Sequence, residues 1–507
     1  MTFQQLLDGA EVLVRSGNPA VSGLEYDSRR LKPGDVFVAM RGESSDGNRF
    51  IDAAIAAGAV AIVSDSSSEQ PRAGVAWAQV SHGRRALARL SANFYRRPAE
   101  HLAITGITGT NGKSTTAFLL EAILVAAGRK CALVGTIEYH VAGKILPAPH
   151  TTPEALDLNR ILAEATAGGA GEAVMEASSH ALAQQRVYGI PFDVAVFTNL
   201  TRDHLDYHHT MEEYFASKQI LFEGCGTDGP RTAVINCDDE FGSRLLRVSR
   251  KRSSVVLTYG LSQGDLQARN LDITSRGTRF DLAGEGLNVP IFSPLIGKVN
   301  VYNVLAAAGA ALMRGCDSRS IAEGVDSLAR VPGRFERVDC NQPFTVVVDY
   351  AHTDDALRNL TALAHDFVQQ AGRKGRVITV FGCGGDRDRA KRPLMGEAAG
   401  RGSDFIVLTS DNPRSEDPLA IINDALVGLQ RSGTRYTMQP DRKAAIALAI
   451  AEAGPGDIVL IAGKGHEKVQ VTREGSIPFD DVQVARAVLR EAGFDCEARK
   501  SAAGARS

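Results

Sequence analysis

The sequence predicts an α/β protein of three domains, the second and third built around mostly parallel sheets. Short apolar runs of strand length alternate with helical segments through most of the chain, the pattern of strands joined by helical crossovers. One run, Leu102 to Ile107, feeds the glycine-rich turn Gly109-Thr110-Asn111-Gly112-Lys113-Ser114. An amphipathic segment from Thr115 to Ala127 follows and stops at Gly128, which reads as strand, turn, helix. Two breaks, Arg96-Arg97-Pro98 and Val331-Pro332-Gly333-Arg334, divide a chain of 507 residues, a length that holds roughly three domains of ~150 residues.

Within residues 1–98, Asp35 to Met40 is a strand after the turn Lys32-Pro33-Gly34, Phe50 to Ala57 is helical, and Ala59 to Ser64 is a buried strand. Residues 99–330 continue the alternation. Cys131 to Thr136, Ala173 to Glu176, Asp193 to Asn199 and Thr232 to Asn236 are strands, and Pro153 to Thr166 is helical. Residues 251–298 are polar, glycine-rich and strand-like, and are expected to form an antiparallel appendage. Residues 331–495 form a third, Rossmann-like domain with strands at Phe344 to Asp349, Arg376 to Phe381, Phe405 to Thr409 and Asp457 to Ala462. The small, polar tail 496–507 is expected to be flexible.

Composition excludes several functions. Formal net charge is −2, and lysine and arginine are scattered, so no basic field marks a nucleic-acid partner. No run of 18 apolar residues offers a membrane span, and the amino-terminus lacks the basic and apolar regions of a signal peptide. Seven widely spaced cysteines without a CxxC pair read as buried small residues in a reducing, cytoplasmic compartment. The partners that remain are small molecules, and a monomer is expected.

The glycine-rich turn suits phosphate. Glycines let backbone N–H groups turn toward phosphate oxygens, and the helix amino-terminus adds partial positive charge. Lys113 would reach the terminal phosphates, and Ser114 or Thr115 would offer a hydroxyl to Mg²⁺. The stricter GxxxxGK[ST] pattern is not met, because its first glycine would fall on Ile107. Ligands of such folds gather at the carboxyl ends of the strands. Glu176, in MEASSH, ends one strand and supplies the hard oxygen that Mg²⁺ on a triphosphate takes. Four residues on, His180 reads as a structural or substrate-orienting group. The segment Thr198 to Asp206 brings Asp203, His204 and Asp206 after another strand, and Lys218 follows on the helix Met211 to Phe222. By spacing alone Lys218 would be a solvated helical lysine.

GTNGKST, MEASSH, TNLTRDHLD, YFASKQILF, GKVNVYN, PGRFE, VVDYAHT, FGCGGDRD, DNPRSEDP and AGKGHE occur in this order. With them the chain resembles the Mur ligase family over nearly its whole length, from Asp27 to Glu467. GTNGK alone is shared with folylpolyglutamate synthases, whereas the DNPR loop and the GKGHE end are more selective. The resemblance implies a UDP-substrate domain (1–98), a central P-loop-type ATPase (99–330) and an amino-acid-binding domain (331–495). It implies an ATP-dependent amide ligase that adds meso-diaminopimelate to UDP-N-acetylmuramoyl-L-alanyl-D-glutamate through an acyl phosphate. Lysine addition by the same family, or a P-loop NTPase without ligation, are the alternatives.

Site residues follow from the same resemblance. Lys113, Glu176, His204 and Lys218 are implied to be catalytic, with Lys218 carbamylated by CO₂ to hold a second Mg²⁺ beside His204. ATP is implied to meet Gly109, Thr110, Asn111, Gly112, Lys113, Ser114, Thr115, Asn303, Arg334 and Asp349, with Ser114 and Glu176 on the metal. The UDP-muramoyl dipeptide is implied to meet Ser28, Thr151, Thr152, Ser178, Gln184 and Arg186. Diaminopimelate is implied to meet Arg387, Asp411, Asn412, Pro413, Arg414, Gly463 and Glu467. Asp354 stands where the family usually has proline, and a looser loop is expected there.

Overall fold

The computed structural model describes residues 1–43, 45–370 and 375–496, and in it the strand–helix alternation closes into three separate principal sheets. The tail beyond Cys496 lies outside the described residues. The first sheet runs Val12–Ser16, Ala76–Val80, Ala61–Ser64, Asp35–Ala39, Gly23–Glu25, parallel except for the antiparallel first strand. Val36 and Val38 pack on one face with Phe3, Leu87 and Leu90, while Phe37 and Ile62 pack on the other with Trp77. Burial on both faces is why these strands read as unbroken apolar runs.

The central sheet has eleven strands. Its parallel heart runs Val255–Gly260, Thr232–Asn236, Val194–Phe197, Ala103–Thr108, Glu172–Glu176, Cys131–Val134. Alternate side chains go to opposite faces. Ile107, Val174, Val196 and Val234 meet the helices Lys113–Ala126 and Lys298–Met313. Ile104, Met175, Phe197 and Ile235 meet Ala155–Ala167 and Met211–Glu223.

The expectation for 251–298 is corrected in part. Val255–Gly260 joins the parallel sheet, and only the following strands, Leu266–Thr274, Gly277–Gly284 and Leu287–Ser293, form an antiparallel meander, which extends that sheet. The meander is half-polar because one face is wet. Its buried Leu266, Phe280, Leu282 and Ile291 join the core beneath Lys298–Met313.

The third sheet runs Glu336–Val338, Thr345–Asp349, Ile458–Ala462, Val377–Phe381, Phe405–Leu408, Arg435–Met438. Its two edge strands are short and polar and carry no periodic signal. A separate hairpin, Val469–Thr472 with Gly475–Pro478, follows. Asp354 takes the first position of the helix Asp354–Gln370 and pairs with Arg358 at 2.6 Å. An acidic residue at a helix amino-terminus is favourable, as proline is there. The cysteine reading is also corrected: Cys340 and Cys496, 156 residues apart, form a disulfide, while Cys225, Cys237, Cys316 and Cys383 are buried thiols. Inference of a reducing compartment from cysteine usage loses its support. Among the described residues no helix is long and apolar enough to cross a membrane.

Candidate functional site between the second and third domains

Three adjacent parallel strands end together, with Glu176 opposite Ile107 and Phe197 opposite Thr108. The glycine-rich turn, the Glu176 carboxylate and the Thr198–Asp206 segment therefore start from one edge of the sheet. Gly112 takes φ +87°, and no side chain caps the first turn of the helix that it starts, which leaves helix-terminal N–H groups for an anion. The turn is braced from the neighbouring strand. Thr110 N–H donates to the Asn199 carbonyl (2.9 Å), Asn111 N–H to Asn199 Oδ1 (2.9 Å), and Thr198 Oγ1 to the Asn111 carbonyl (2.7 Å). A Cβ on Gly109 would strike Thr198, and one on Gly112 would strike Asn303. Thr198 and Asn199 were not among the residues expected to act, although the TNL motif carries them.

Two lysines converge on this turn. Lys113 Nζ donates to the carbonyls of Gly109 and Thr110, both at 3.0 Å, and Lys218 Nζ donates to Gly109 at 2.8 Å. Lys218 is 1 % exposed and its ammonium lies 4.4 Å from the Tyr214 ring centroid. Burial, then repulsion from Lys113, holds the Lys218 amine well below its ordinary titration range, against the opposing pull of Asp203. The helical-surface reading of Lys218 is thereby overturned.

Glu176 is buried, accepting from Thr136 N–H (2.8 Å) and Thr136 Oγ1 (2.9 Å). Each carboxylate oxygen keeps a further lone pair. His204 adopts a left-handed backbone (φ 54°), with its Nε2 3.4 Å from Asp203 Oδ2 and its ring 4.7 Å from that of His180. Burial pushes the His204 imidazole down to about 3 despite Asp203, so it is neutral. Among the described residues no three His, Cys, Asp or Glu side chains form a ready cation cage. The donor types present fit Mg²⁺ nonetheless, since Glu176 and Ser114 offer the hard oxygens that this ion takes.

A second cluster adjoins Glu176. Thr152 Oγ1 donates to the Glu176 carbonyl (2.7 Å) and lies 3.2 Å from Ser178 Oγ; Thr136 Oγ1 lies 3.1 Å from Thr151 Oγ1. Arg186 donates to the Thr152 carbonyl (3.0 Å) and to Gln184 Oε1 (2.7 Å), and pairs with Glu154 at 2.9 Å. Five of the six residues expected at the UDP-linked substrate are thus contiguous. Ser28 stands apart on the turn after Gly23–Glu25, and among the described residues no hydrogen bond joins it to the five.

The third domain faces this edge with its own strand ends. Asp349 ends one strand opposite Ala462, and its carboxylate accepts from Phe335 N–H (2.7 Å) and Ala351 N–H (2.8 Å). Arg334 reaches across to Ser114 Oγ at 3.2 Å while lying 4.7 Å from the Tyr350 ring centroid. Asn303 borders the same region, with its Oδ1 3.4 Å from Thr116 Oγ1. Arg334 Nε is buried without a partner, an open donor at the domain junction.

Four loops continue the third sheet: Gly382–Arg387, Asp411–Arg414, Gly463–Glu467 and the turn after Asp349. Arg414 has φ 53° and donates to the Gly385 carbonyl at 2.7 Å. Among the described residues it pairs with no carboxylate. Burial, then Arg387, depresses its guanidinium pKa against the opposing pull of Asp411, Glu467 and Asp386. Glu416 pairs with Arg392 instead, and Asp417 caps the helix Pro418–Ser432. Asn412 Nδ2 donates to Glu467 Oε2 (2.7 Å), and buried Lys464 donates to Asn412 Oδ1 (3.0 Å), Glu467 Oε2 (2.9 Å) and the Val469 carbonyl (2.7 Å). Lys464, unanticipated, was legible only as part of GKGHE. Pro413 holds its loop against Gly385, and Gly463 takes φ 115° beside Asp411. Arg387 is exposed and, among the described residues, donates to the Asp386 carbonyl at 3.1 Å.

Fold and site together describe an α/β enzyme in which a phosphate-suited turn of the central sheet meets the strand ends of the third domain. Residues 20–95 match the Mur ligase family catalytic domain, 107–311 the Mur ligase middle domain and 333–465 the Mur ligase glutamate ligase domain. The UDP-N-acetylmuramoyl-L-alanyl-D-glutamate–2,6-diaminopimelate ligase of Solibacter usitatus is 55 % identical over 475 residues, 94 % of each chain. A solved structure described by the same activity is 35 % identical with a TM-score of 0.67, covering 97 % of this chain and 99 % of the other. The MurF ligase of Thermotoga maritima in complex with ADP shares the fold at 20 % identity, with a TM-score of 0.62 over 93 % of this chain and 98 % of that one. The chain belongs to the Mur ligase family.

Proposed function

We propose that this protein is an ATP-dependent amide ligase joining meso-diaminopimelate to UDP-N-acetylmuramoyl-L-alanyl-D-glutamate in peptidoglycan precursor synthesis. The observation that carries the choice of amino acid is Arg414, a half-buried guanidinium without a carboxylate partner on the third domain. Diaminopimelate differs from lysine by a carboxylate beside its second amine, and Arg414 is placed to pair with it bidentately. Asn412, Glu467 and the Gly463 carbonyl serve the adjoining ammonium.

A carboxylate resists amine attack because oxide is no leaving group. The dipeptide's γ-carboxylate attacks the γ-phosphorus of ATP, forming an acyl phosphate and releasing ADP. The amine then attacks the acyl carbon, losing a proton as phosphate leaves. Gly109 to Thr115 cradle the phosphates, Lys113 swings from the Gly109 and Thr110 carbonyls onto the transferred phosphoryl group, and Asn303, Arg334 and Asp349 hold the nucleoside. Thr151, Thr152, Ser178, Gln184 and Arg186 fix the UDP-linked substrate, with Ser28 contributing from the first domain.

Mg²⁺, two ions in this reading, neutralises phosphate charge when bound. Glu176 and Ser114 would hold one ion; His204 and Lys218 as its N-carboxylate would hold the other. The neutral Lys218 amine attacks CO₂, forming an N–C bond and releasing a proton. The depressed pKa of Lys218 supports that step. All the residues assigned to these sites come from one chain, in keeping with a monomer, and consumption of ATP supports a cytoplasmic setting.

The test is a product-mass assay with UDP-muramoyl dipeptide, MgATP and a panel of amino acids. Diaminopimelate-dependent amide, with one ADP per amide, is the expected result. ATP turnover that needs neither amino acid nor UDP-linked substrate would sink the ligase reading.

A further inference from the structure

Among the described residues Arg414 makes no ion pair, although Asp411, Glu467 and Asp386 attract it and five acids border its loop. Each acid is engaged elsewhere. Asp386 accepts from Ser415 N–H (3.1 Å) and Ser415 Oγ (2.7 Å), and Asp417 from Leu419 N–H (2.7 Å). Asp411 accepts from Asn412 N–H (2.6 Å), and Glu467 from Asn412 and Lys464. The fifth, Glu416, is only two residues from Arg414 in a turn closed by Glu416 N–H donating to the Pro413 carbonyl at 3.0 Å. Glu416 is the nearest of the five in sequence, and it is the one that another guanidinium grips.

What holds it is Arg392. This side chain is wholly buried, on the helix Lys391–Arg401. It grips Glu416 with both terminal nitrogens, Nη2 to Oε1 at 2.7 Å and Nη1 to Oε2 at 3.0 Å. The same guanidinium takes Asp424 Oδ2 (2.9 Å) and the Gly384 carbonyl (3.2 Å), next to the Gly385 carbonyl that receives Arg414. Asp386 N–H adds a third donor to Glu416 at 2.5 Å, beside the two of the guanidinium fork. Glu416 is held ionised at about 2, chiefly by Arg392, so it stays in this grip across the working pH range.

We propose that Arg392 is a positioning residue for amino-acid selection: by holding Glu416 it keeps Arg414 free of an internal partner, so that a substrate carboxylate can take that place. The inference rests on the ligase reading above. Arg392 touches no substrate. It acts by removing a competitor and by fixing the Gly384–Gly385 loop.

The decisive variant is Arg392→Met, which keeps much of the side-chain volume and releases Glu416. In the full-length enzyme, KM for diaminopimelate should rise about tenfold or more, with KM for ATP and for the UDP-linked dipeptide unchanged. Adding Glu416→Gln should then restore KM for diaminopimelate to that of Glu416→Gln alone, because no carboxylate remains to capture Arg414. A residue that merely supported the loop would show no such rescue. If Arg392→Met does not fold, Arg392→Lys serves: one ammonium cannot replace the bidentate grip, and the same rescued, smaller rise is expected. An unchanged KM in the folded variant, or a double variant no better than the single, overturns the inference while leaving the ligase reading intact. A wild-type enzyme that forms no diaminopimelate-dependent product overturns both.

Discussion

Lys218 places an ammonium in a closed pocket 2.8 Å from the Gly109 carbonyl and close enough to Lys113 to be repelled by it. A buried amine favours its neutral form, and the neutral form is the one that adds CO₂. Lys218→Ala should therefore slow acyl-phosphate formation by roughly 100-fold or more, and millimolar acetate or propionate should restore part of it by supplying the missing carboxylate. A rate that no small carboxylate restores, with a bare ammonium in a crystal structure, would overturn the assignment. Arg414 shows the complementary case, a cation waiting for its anion. Leaving it unpaired in a closed site costs a few kcal/mol, about 100-fold in discrimination. Wild type should prefer diaminopimelate over lysine by about that factor in direct competition, and Arg414→Ala should lose most of the preference through a raised KM for diaminopimelate. Equal incorporation of the two amino acids by wild type would refute this.

At the scale of elements, the helix after the phosphate turn is tied to the hairpin Glu138–Val141 and Lys144–Pro147 through His140. Nδ1 lies 2.7 Å from Glu121 on the helix, and Nε2 lies 2.9 Å from Glu138. Burial alone would lower the pKa of His140, but Glu121 and then Glu138 outweigh it and raise it to about 9. The sign follows from linkage. A histidine whose folded pKa lies above its unfolded value adds stability that is full below about pH 6.5 and is lost as pH climbs through 9. Discounted for partial solvent exposure, the contribution is about 1–2 kcal/mol. Urea unfolding of His140→Gln should show a loss of that size at pH 6 and almost none at pH 10; equal losses at both would mean that packing, not charge, is at stake.

For the whole molecule, the decisive contacts cross between the second and third domains. Asp203 receives Lys391 Nζ at 3.5 Å and His352 Nε2 at 3.7 Å from the third domain, Arg202 pairs with Asp388 at 3.3 Å, and Asn111 Nδ2 donates to Asp355 at 3.1 Å. Burial would raise the Asp203 pKa, yet hydrogen bonding to His352 and the Lys391 ammonium hold it well below the usual carboxylate range. These charges meet where the second and third domains meet, and they are expected to hold the two together, with left-handed backbone at Gly333 (φ 66°) on that boundary. Lys391→Ala should enlarge the radius of gyration in small-angle scattering and lower kcat about tenfold while KM for the UDP-linked dipeptide holds. Unchanged scattering and turnover would show that Lys391 does not govern closure.

Much of this was legible in the sequence because the signals are local. The run into Gly109–Ser114, Glu176 at a strand end and the alternation in 345–462 depend on neighbours along the chain, and backbone geometry enforces them. Side-chain environment is not local. Nothing near Lys218 in sequence distinguishes it from a solvated helical lysine; the fold buries it by bringing Gly109, 109 residues away, beneath its amine. Cys340 and Cys496 meet only because the last helix returns to the edge of the third sheet, and Val255–Gly260 becomes parallel only by finding Thr232–Asn236. The sequence by itself determined the order of strands and loops and the chemical groups they carry. The tertiary structure decided which charges are paired and which, like those of Lys218 and Arg414, are left open, because pairing and desolvation are properties of surroundings assembled from distant parts of the chain.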